Sequence, residues 1–218
     1  MHRTGFAWRA TLALGLAVLP LRLLAQVPAA SPTQNNSSPT QADWKAELGK
    51  PIPSFTLTNY DGTTITSLSD KFDLTVLVFV STKCSFSNDY NARLVKFASD
   101  YATRGTKHVR VIGINANADE KPEAFAKHAQ EKGLTYPVVK DERNLIADHF
   151  QAQKTPEVWV VDRRGVVRYH GAIDDHFDEA QVKVTYLRDA VNALLAGKEP
   201  AVTETPLQGC TIKRERRR

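Results

Sequence analysis

Val76-Leu77-Val78-Phe79-Val80-Ser81-Thr82-Lys83-Cys84-Ser85-Phe86-Ser87 reads as an apolar run of strand length, a short polar turn and the opening of an amphipathic helix. Cys84 therefore stands at a strand-to-helix junction. The unpaired N–H groups and dipole of a first helical turn favour negative charge there, and the thiolate is the reactive form of cysteine. The alternative is a small buried hydrophobe, the usual state of a lone cysteine. The neighbours Ser81, Thr82, Lys83, Ser85 and Ser87 make a poor core position, so a reactive thiol is expected.

Outward from this stretch, strand and helix signals alternate. Phe55–Thr58 and Thr64–Thr66 flank Asn59-Tyr60-Asp61-Gly62 and predict a β-hairpin with Asp-Gly in its turn. Leu74–Val80 is apolar without alternation, as in a central strand covered on both faces. After Cys84, Phe86, Tyr90, Leu94, Phe97, Ala98 and Tyr101 recur at helical spacing, and the helix ends near Gly105. A buried strand follows at Val109–Ile114. Asp119 before Pro122 predicts the next helix start and Gly133 its end. Tyr136–Val139 is extended, and Asn144–Phe150 is a short helix capped by Asp141. Thr155-Pro156, strand Val158–Val161, turn Asp162–Gly165, strand Val166–His170 and a final helix over Glu179–Leu195 complete the pattern. This is an α/β domain with a mixed sheet.

At the N-terminus, Arg3 and Arg9 precede an apolar run, Ala10–Leu21, with Ala25 beyond it. The run is shorter than the roughly 20 residues of a spanning helix and predicts a signal peptide over 1–25, hence a periplasmic or secreted protein. Membrane attachment is expected only if that signal stays uncleaved. Residues 26–43, rich in Pro, Ser, Thr, Asn and Gln, read as a flexible linker to a domain over 44–197, and 198–218 as a C-terminal tail. The net charge of +5 resides in the ends: Arg3, Arg9 and Arg22 at one, Lys213, Arg214, Arg216, Arg217 and Arg218 at the other. The part between is slightly acidic, so the charge gives a nucleic-acid role no support. The basic end reads as a solvated tail.

Two cysteines, Cys84 and Cys210, in an exported chain meet conditions in which disulfides persist. Their separation is too long for a local redox pair or a zinc knuckle. A long-range bond or two independent thiols remain. The connector after Gly197, at roughly 3.3 Å per residue, extends on the order of 43 Å, enough to cross a domain of this size.

The Cys84 strand-turn-helix, followed by Thr155-Pro156 before a strand and the Asp162–Gly165 turn, resembles the thioredoxin superfamily over Leu48–Ala196. Within it, the similarity is to the exported redoxin or peroxiredoxin-like branch (alkyl hydroperoxide reductase/thiol-specific antioxidant type). The resemblance implies a three-layer sandwich with helices on both faces of a mixed sheet and an N-terminal β-hairpin. It also implies a cis Thr155–Pro156 bond beside Cys84, with the Thr155 backbone edge open to an extended thiol substrate.

Departures from the family narrow the chemistry. Ser87 replaces the second cysteine of a Cys-x-x-Cys site, so no neighbouring thiol releases a mixed disulfide. Ser81 meets the hydroxyl requirement three positions before a peroxidatic cysteine, but Leu77 replaces its proline. No pattern fixes the cationic partner of a peroxide site; Lys83 and Arg163 are two candidates. Cys210, preceded by Gly209 in what reads as a turn, is the candidate resolving thiol. The expected function is a thiol–disulfide oxidoreductase acting through Cys84, with thiol peroxidase activity as the alternative within the enzyme class. Thr155, Pro156, Ser81, Lys83 and Ser87 are its expected positioning residues. Its partners would be a thiol or disulfide protein or a small-molecule oxidant, with an external thiol reductant. A non-catalytic module binding a metal or partner is the alternative of another class. His170, His176, Asp174 and Asp175 would supply copper ligands there, or else are polar loop residues. No metal and no cofactor is expected: there is no Gly-rich dinucleotide loop, phosphate loop or Cys-x-x-Cys-His site.

Overall fold

In the computed structural model, which describes residues 44–102 and 105–216, Leu74–Phe79 forms the central strand β3, buried along its whole length. To number the elements in chain order, β1 (Thr56–Thr58) and β2 (Thr64–Thr66) precede it as the expected hairpin. The hairpin turn is held by the Asp61 carboxylate, which accepts from the Thr63 N–H at 2.8 Å and from its hydroxyl at 2.6 Å. The signal peptide and linker expected over 1–43 lie outside the described residues, as do Arg217 and Arg218.

β3 is parallel to β4 (Val109–Asn115) and antiparallel to β7 (Glu157–Asp162). β5 (Val138–Lys140) adds parallel to β4, and β8 (Val167–Gly171) adds antiparallel to β7, giving the order β5-β4-β3-β7-β8. Because successive strand residues face opposite ways, Val76, Val78 and Val80 enter one core and Leu77 and Phe79 the other. The first core is closed by α2 (Asn91–Tyr101), α3 (Pro122–Glu131) and α5 (Tyr186–Leu195), through residues such as Leu94, Phe125 and Leu187. The second is closed by α4 (Leu145–His149) and the N-terminal segment, through Ile146, Phe150, Ile52 and Leu57. The layering is the three-layer sandwich expected from the resemblance.

Four local expectations change. The helix after Cys84 breaks at Tyr90 into α1 (Ser85–Asp89) and α2. α3 starts at Pro122, as expected, but Lys121 rather than Asp119 stands at its cap position, and Asp119 bonds Lys83 and Lys213. The final helix begins at Tyr186, and Glu179–Gln181 is a separate 3-10 turn. Between them the Asp175 carboxylate takes the N–H groups of Lys183 and Val184 at 2.9 and 3.1 Å, so they are unavailable to a continuing helix. Finally, the C-terminal segment is not a solvated tail. Lys154–Thr155 (β6) and Cys210–Thr211 (β9) pair antiparallel, and Ile212 is 3% exposed in the second core. Asp141 does cap α4, accepting from the N–H groups of Ile146 and Ala147 at 2.9 and 2.8 Å.

Candidate active site

β3 ends against β4, and the chain turns through Ser81–Lys83 to place Cys84 at the N-cap of α1. Its sulfur accepts the Ser87 N–H at 3.3 Å and lies 3.1 Å from the Thr155 carbonyl oxygen, to which the thiol donates. The side chain is 2% exposed. Thr155–Pro156 is cis and the Thr155 carbonyl faces the sulfur, as the resemblance implied, but the Thr155 edge is not open to a substrate, because it pairs with Cys210 of the same chain.

The turn is knitted by side chains the sequence placed near the chemistry. The Ser81 hydroxyl accepts the N–H groups of Cys84 at 3.1 Å and Lys83 at 3.2 Å, and donates to the Glu120 carboxylate. Ser87 Oγ accepts the Ser81 N–H at 3.0 Å. Ser81 thus positions the Cys84 backbone, while Ser87 holds Ser81 through its hydroxyl and the Cys84 sulfur through its N–H. Lys83 is held by Asp119, its Nζ 2.7 Å from the Asp119 carbonyl oxygen and 3.1 Å from Asp119 Oδ2. Arg163 bonds Asp73 and Phe72. Neither side chain is a hydrogen-bond partner of the Cys84 sulfur.

Glu120 is the residue sequence reasoning missed. Within Asp119-Glu120-Lys121-Pro122 it reads as an ordinary acidic helix start. In the fold it is 3% exposed and accepts from the Ser81 hydroxyl, the Thr82 N–H at 2.7 Å, the Thr82 hydroxyl at 2.6 Å and Asn115 Nδ2 at 3.1 Å. Glu120→Ala strands these donors beneath Cys84. Urea denaturation is expected to register a loss of about 3 kcal/mol, and thermal melting a fall of roughly 10 °C.

Cys210 reaches the site because the last strand docks on its edge. Thr155 pairs with Cys210 and Lys154 with Thr211. Beyond them the Ile212 N–H donates to the Gln153 carbonyl at 2.9 Å, and the Lys213 N–H to Asn117 Oδ1 at 2.8 Å. Lys213 Nζ lies 2.8 Å from Asp119 Oδ2, Arg214 pairs with Asp148, and the Glu215 N–H donates to Asn144 Oδ1 at 2.8 Å. Gly209 has φ +140°, and a Cβ there would lie 2.2 Å from the Thr155 carbonyl oxygen. The glycine before the cysteine serves this close approach.

The Cys210 side chain lies beside that of Cys84, and both are free thiols. Burial pushes the Cys210 thiol up, and the Cys84 sulfur beside it pushes the same way, while the N–H groups of Phe86 and Ser85 act in the opposite sense. Cys210 therefore keeps its proton to higher pH than an ordinary cysteine, near 8.5. Its iodoacetamide labelling in the reduced protein is expected to rise with a midpoint above that value. In Cys84→Ser the midpoint falls, because the neighbouring sulfur is gone.

Glu157, which follows Pro156 and is fully buried, accepts the N–H groups of Gln153 and Lys154 at 2.7 and 3.0 Å and Trp159 Nε1 at 3.1 Å, fixing the backbone that leads into β6. His170 stacks on Trp159 with its ring nitrogens on Glu157 and Glu204. His176 bonds Asp178, Asp174 bonds Tyr90 and Arg93, and Asp175 bonds backbone, so the side chains considered for copper have separate partners. Among the described residues no group of three or more His, Cys, Asp or Glu side chains forms a metal site.

Comparison with known proteins bears on this site. No curated protein matches the chain. An uncharacterized conserved protein of Geobacillus kaustophilus is 32% identical, with 79% of this chain and 94% of that one covered and a TM-score of 0.71. A hypothetical protein of Sinorhizobium meliloti 1021 is 30% identical over 78% and 96% of the two chains, with a TM-score of 0.70. The peroxidoxin BcpB of Mycobacterium tuberculosis shares the thioredoxin-like fold at 17% identity, 61% and 90% coverage and a TM-score of 0.51. The sequence profile of the AhpC/TSA family matches residues 48–170. The matched stretch runs from the segment before the hairpin to β8 and contains Cys84, Glu120 and the cis Thr155–Pro156 step, and on it the chain belongs to the AhpC/TSA family.

Proposed function

We propose that the protein is an exported thiol–disulfide oxidoreductase whose redox pair is Cys84 and Cys210. The observation that carries this reading is the β6–β9 register, which pairs Cys210 with Thr155, the residue whose carbonyl oxygen takes the Cys84 thiol, and so sets the two thiols side by side. Cys84 thiolate attacks one sulfur of a substrate disulfide. The substrate S–S bond breaks, the departing sulfur takes up a proton, and Cys84 is left in a mixed disulfide. Cys210 then loses its proton and attacks the Cys84 sulfur, releasing the second substrate thiol and closing a Cys84–Cys210 bond. Two electrons pass from the chain to the substrate, and an external thiol reductant restores them.

Disulfide exchange is favoured over peroxide reduction because the Ser81 hydroxyl is committed to Glu120, and Lys83 and Arg163 are committed to Asp119 and Asp73. Export is supported by the Arg3-to-Ala25 pattern.

The test is thiol trapping and non-reducing peptide mapping before and after one equivalent of a model disulfide or of hydrogen peroxide. An intrachain Cys84–Cys210 bond, formed faster with the disulfide, is the expected result. Faster reaction with peroxide moves the protein to the peroxidase reading. An unreactive Cys84 removes the enzyme reading.

A further inference from the structure

The loop between β4 and α3 holds both of the segments that carry a cysteine. On one side, Glu120 accepts from the Ser81 hydroxyl and from the Thr82 N–H at 2.7 Å, and the Asp119 carbonyl oxygen takes Lys83 Nζ at 2.7 Å. These bonds fix the turn into Cys84. On the other side, the Lys213 N–H donates to Asn117 Oδ1 at 2.8 Å, and the Ala118 N–H donates to the Lys213 carbonyl oxygen at 2.8 Å. Lys213, which follows Cys210 on the same docked strand, is therefore held by both of its backbone polar groups.

Asn117 is the firm part of this grip. It is 3% exposed, and its own carbonyl oxygen is fixed by Lys140 Nζ at 2.5 Å and by the Glu120 N–H at 3.1 Å. The neighbouring Lys213–Asp119 ion pair has side chains 62% and 37% exposed, and open pairs of this kind contribute little. The bond from the buried amide is better shielded, and its loss would leave the Lys213 N–H without that acceptor. Among the described residues nothing accepts from Asn117 Nδ2, so the bonded half of the side chain is its oxygen.

Resting on the redox pair proposed above, we infer that Asn117 is a positioning residue for the second chemical step, its amide oxygen keeping the Cys210 strand in register while Cys84 is bonded to substrate. In that intermediate Cys84 has no thiol proton to give to the Thr155 carbonyl, and the strand rests on the short β6–β9 ladder, the Ile212–Gln153 bond and the hold on Lys213. Cys210 loses its proton and its thiolate attacks the Cys84 sulfur. The bond from Cys84 to the substrate sulfur breaks, and that sulfur leaves with the electron pair and takes up a proton. The rate of such an intramolecular step follows the placement of the attacking atom. The first step, attack by Cys84 on the substrate, does not draw on the strand.

The test mixes the reduced full chain with an equimolar amount of dithiobis(nitrobenzoate), a model disulfide that releases one coloured thiolate when Cys84 attacks and a second when Cys210 closes the bond. Asn117→Leu, similar in size but without an acceptor, is expected to keep the first phase at the wild-type rate and to slow the second by about tenfold. Asn117→Asp keeps an acceptor oxygen in either protonation state and drops only the N–H groups that have no partner, so its second phase is expected to return to the wild-type rate. Asn117→Ala makes the same comparison if leucine does not pack. An unchanged second phase without the acceptor, equal slowing of both phases, or equal slowing in the Leu and Asp variants overturns the inference while leaving the redox pair in place. A wild-type chain that releases a single thiolate and forms no Cys84–Cys210 bond overturns the redox pair, and the inference with it.

Discussion

Cys84→Ser is expected to lower turnover of a model disulfide by on the order of 10³-fold or more, to the rate of the uncatalysed exchange, without loss of the fold. The two halves of that expectation have separate causes. Serine is a favoured N-cap residue, and its oxygen can take the Ser87 N–H that the Cys84 sulfur now accepts, so urea denaturation should place the variant within about 0.5 kcal/mol of wild type. An alcohol, however, is not ionised near neutral pH and forms no disulfide, so the first covalent step is gone. Cys210→Ala separates that step from the second. Cys84 still reacts once, and the oxidised product becomes a mixed disulfide on Cys84. Multiple turnover falls by on the order of 10²-fold, because an external thiol must do by collision what Cys210 does in contact. If Cys84→Ser keeps its turnover, Cys84 is not the nucleophile. If Cys210→Ala does so, an external thiol resolves the wild-type protein as well.

What the sequence disclosed depends on how far apart the interacting residues lie. The apolar run into Cys84, the Asp61-Gly62 turn and the Asp141 cap are contiguous patterns, and each appears in the fold where the pattern puts it. The cis Thr155–Pro156 bond was legible only through the resemblance, since a Thr-Pro pair is by itself an ordinary strand start. Glu120 was illegible because the hydroxyls and N–H it serves belong to Ser81 and Thr82, on the other side of α1, α2 and β4 in the chain. Charge counting misled at the C-terminus. Lys213 and Arg214 look like the start of a solvated run, yet they follow directly on Ile212, whose burial draws the backbone against Gln153, Thr155 and Asn117. An isoleucine directly before the basic stretch was a local sign of this. Gly209 gave a true signal with the wrong cause: its neighbour across space is Thr155, and the constraint is a close approach rather than a local turn.

Gly209→Ala should therefore act as a redox lesion even though it leaves both thiols in the chain. The added Cβ would lie 2.2 Å from the Thr155 carbonyl oxygen and 2.8 Å from its carbon, atoms of backbone held between Glu157 and the cis peptide, and the residue has φ +140°, which alanine avoids. The strand, rather than the backbone held between Glu157 and the cis peptide, is expected to yield. Shifting Cys210 by about 1 Å or more from its contact with Cys84 is expected to slow intrachain disulfide formation by on the order of 10²-fold, read by quenched-flow alkylation after oxidation. The same shift uncovers Cys84, so its labelling by iodoacetamide in the reduced protein should accelerate. Gly197→Ala is the control, because Gly197 also has positive φ, +72°, but a Cβ there meets nothing within 4 Å. It is expected to cost about 1 kcal/mol in stability while the disulfide forms at the wild-type rate. Slowing in Gly209→Ala alone ties the chemistry to the β6–β9 register. Equal rates in both variants and wild type would mean that the sulfurs meet by some route other than this strand, and the docked C-terminus would lose its place in the mechanism.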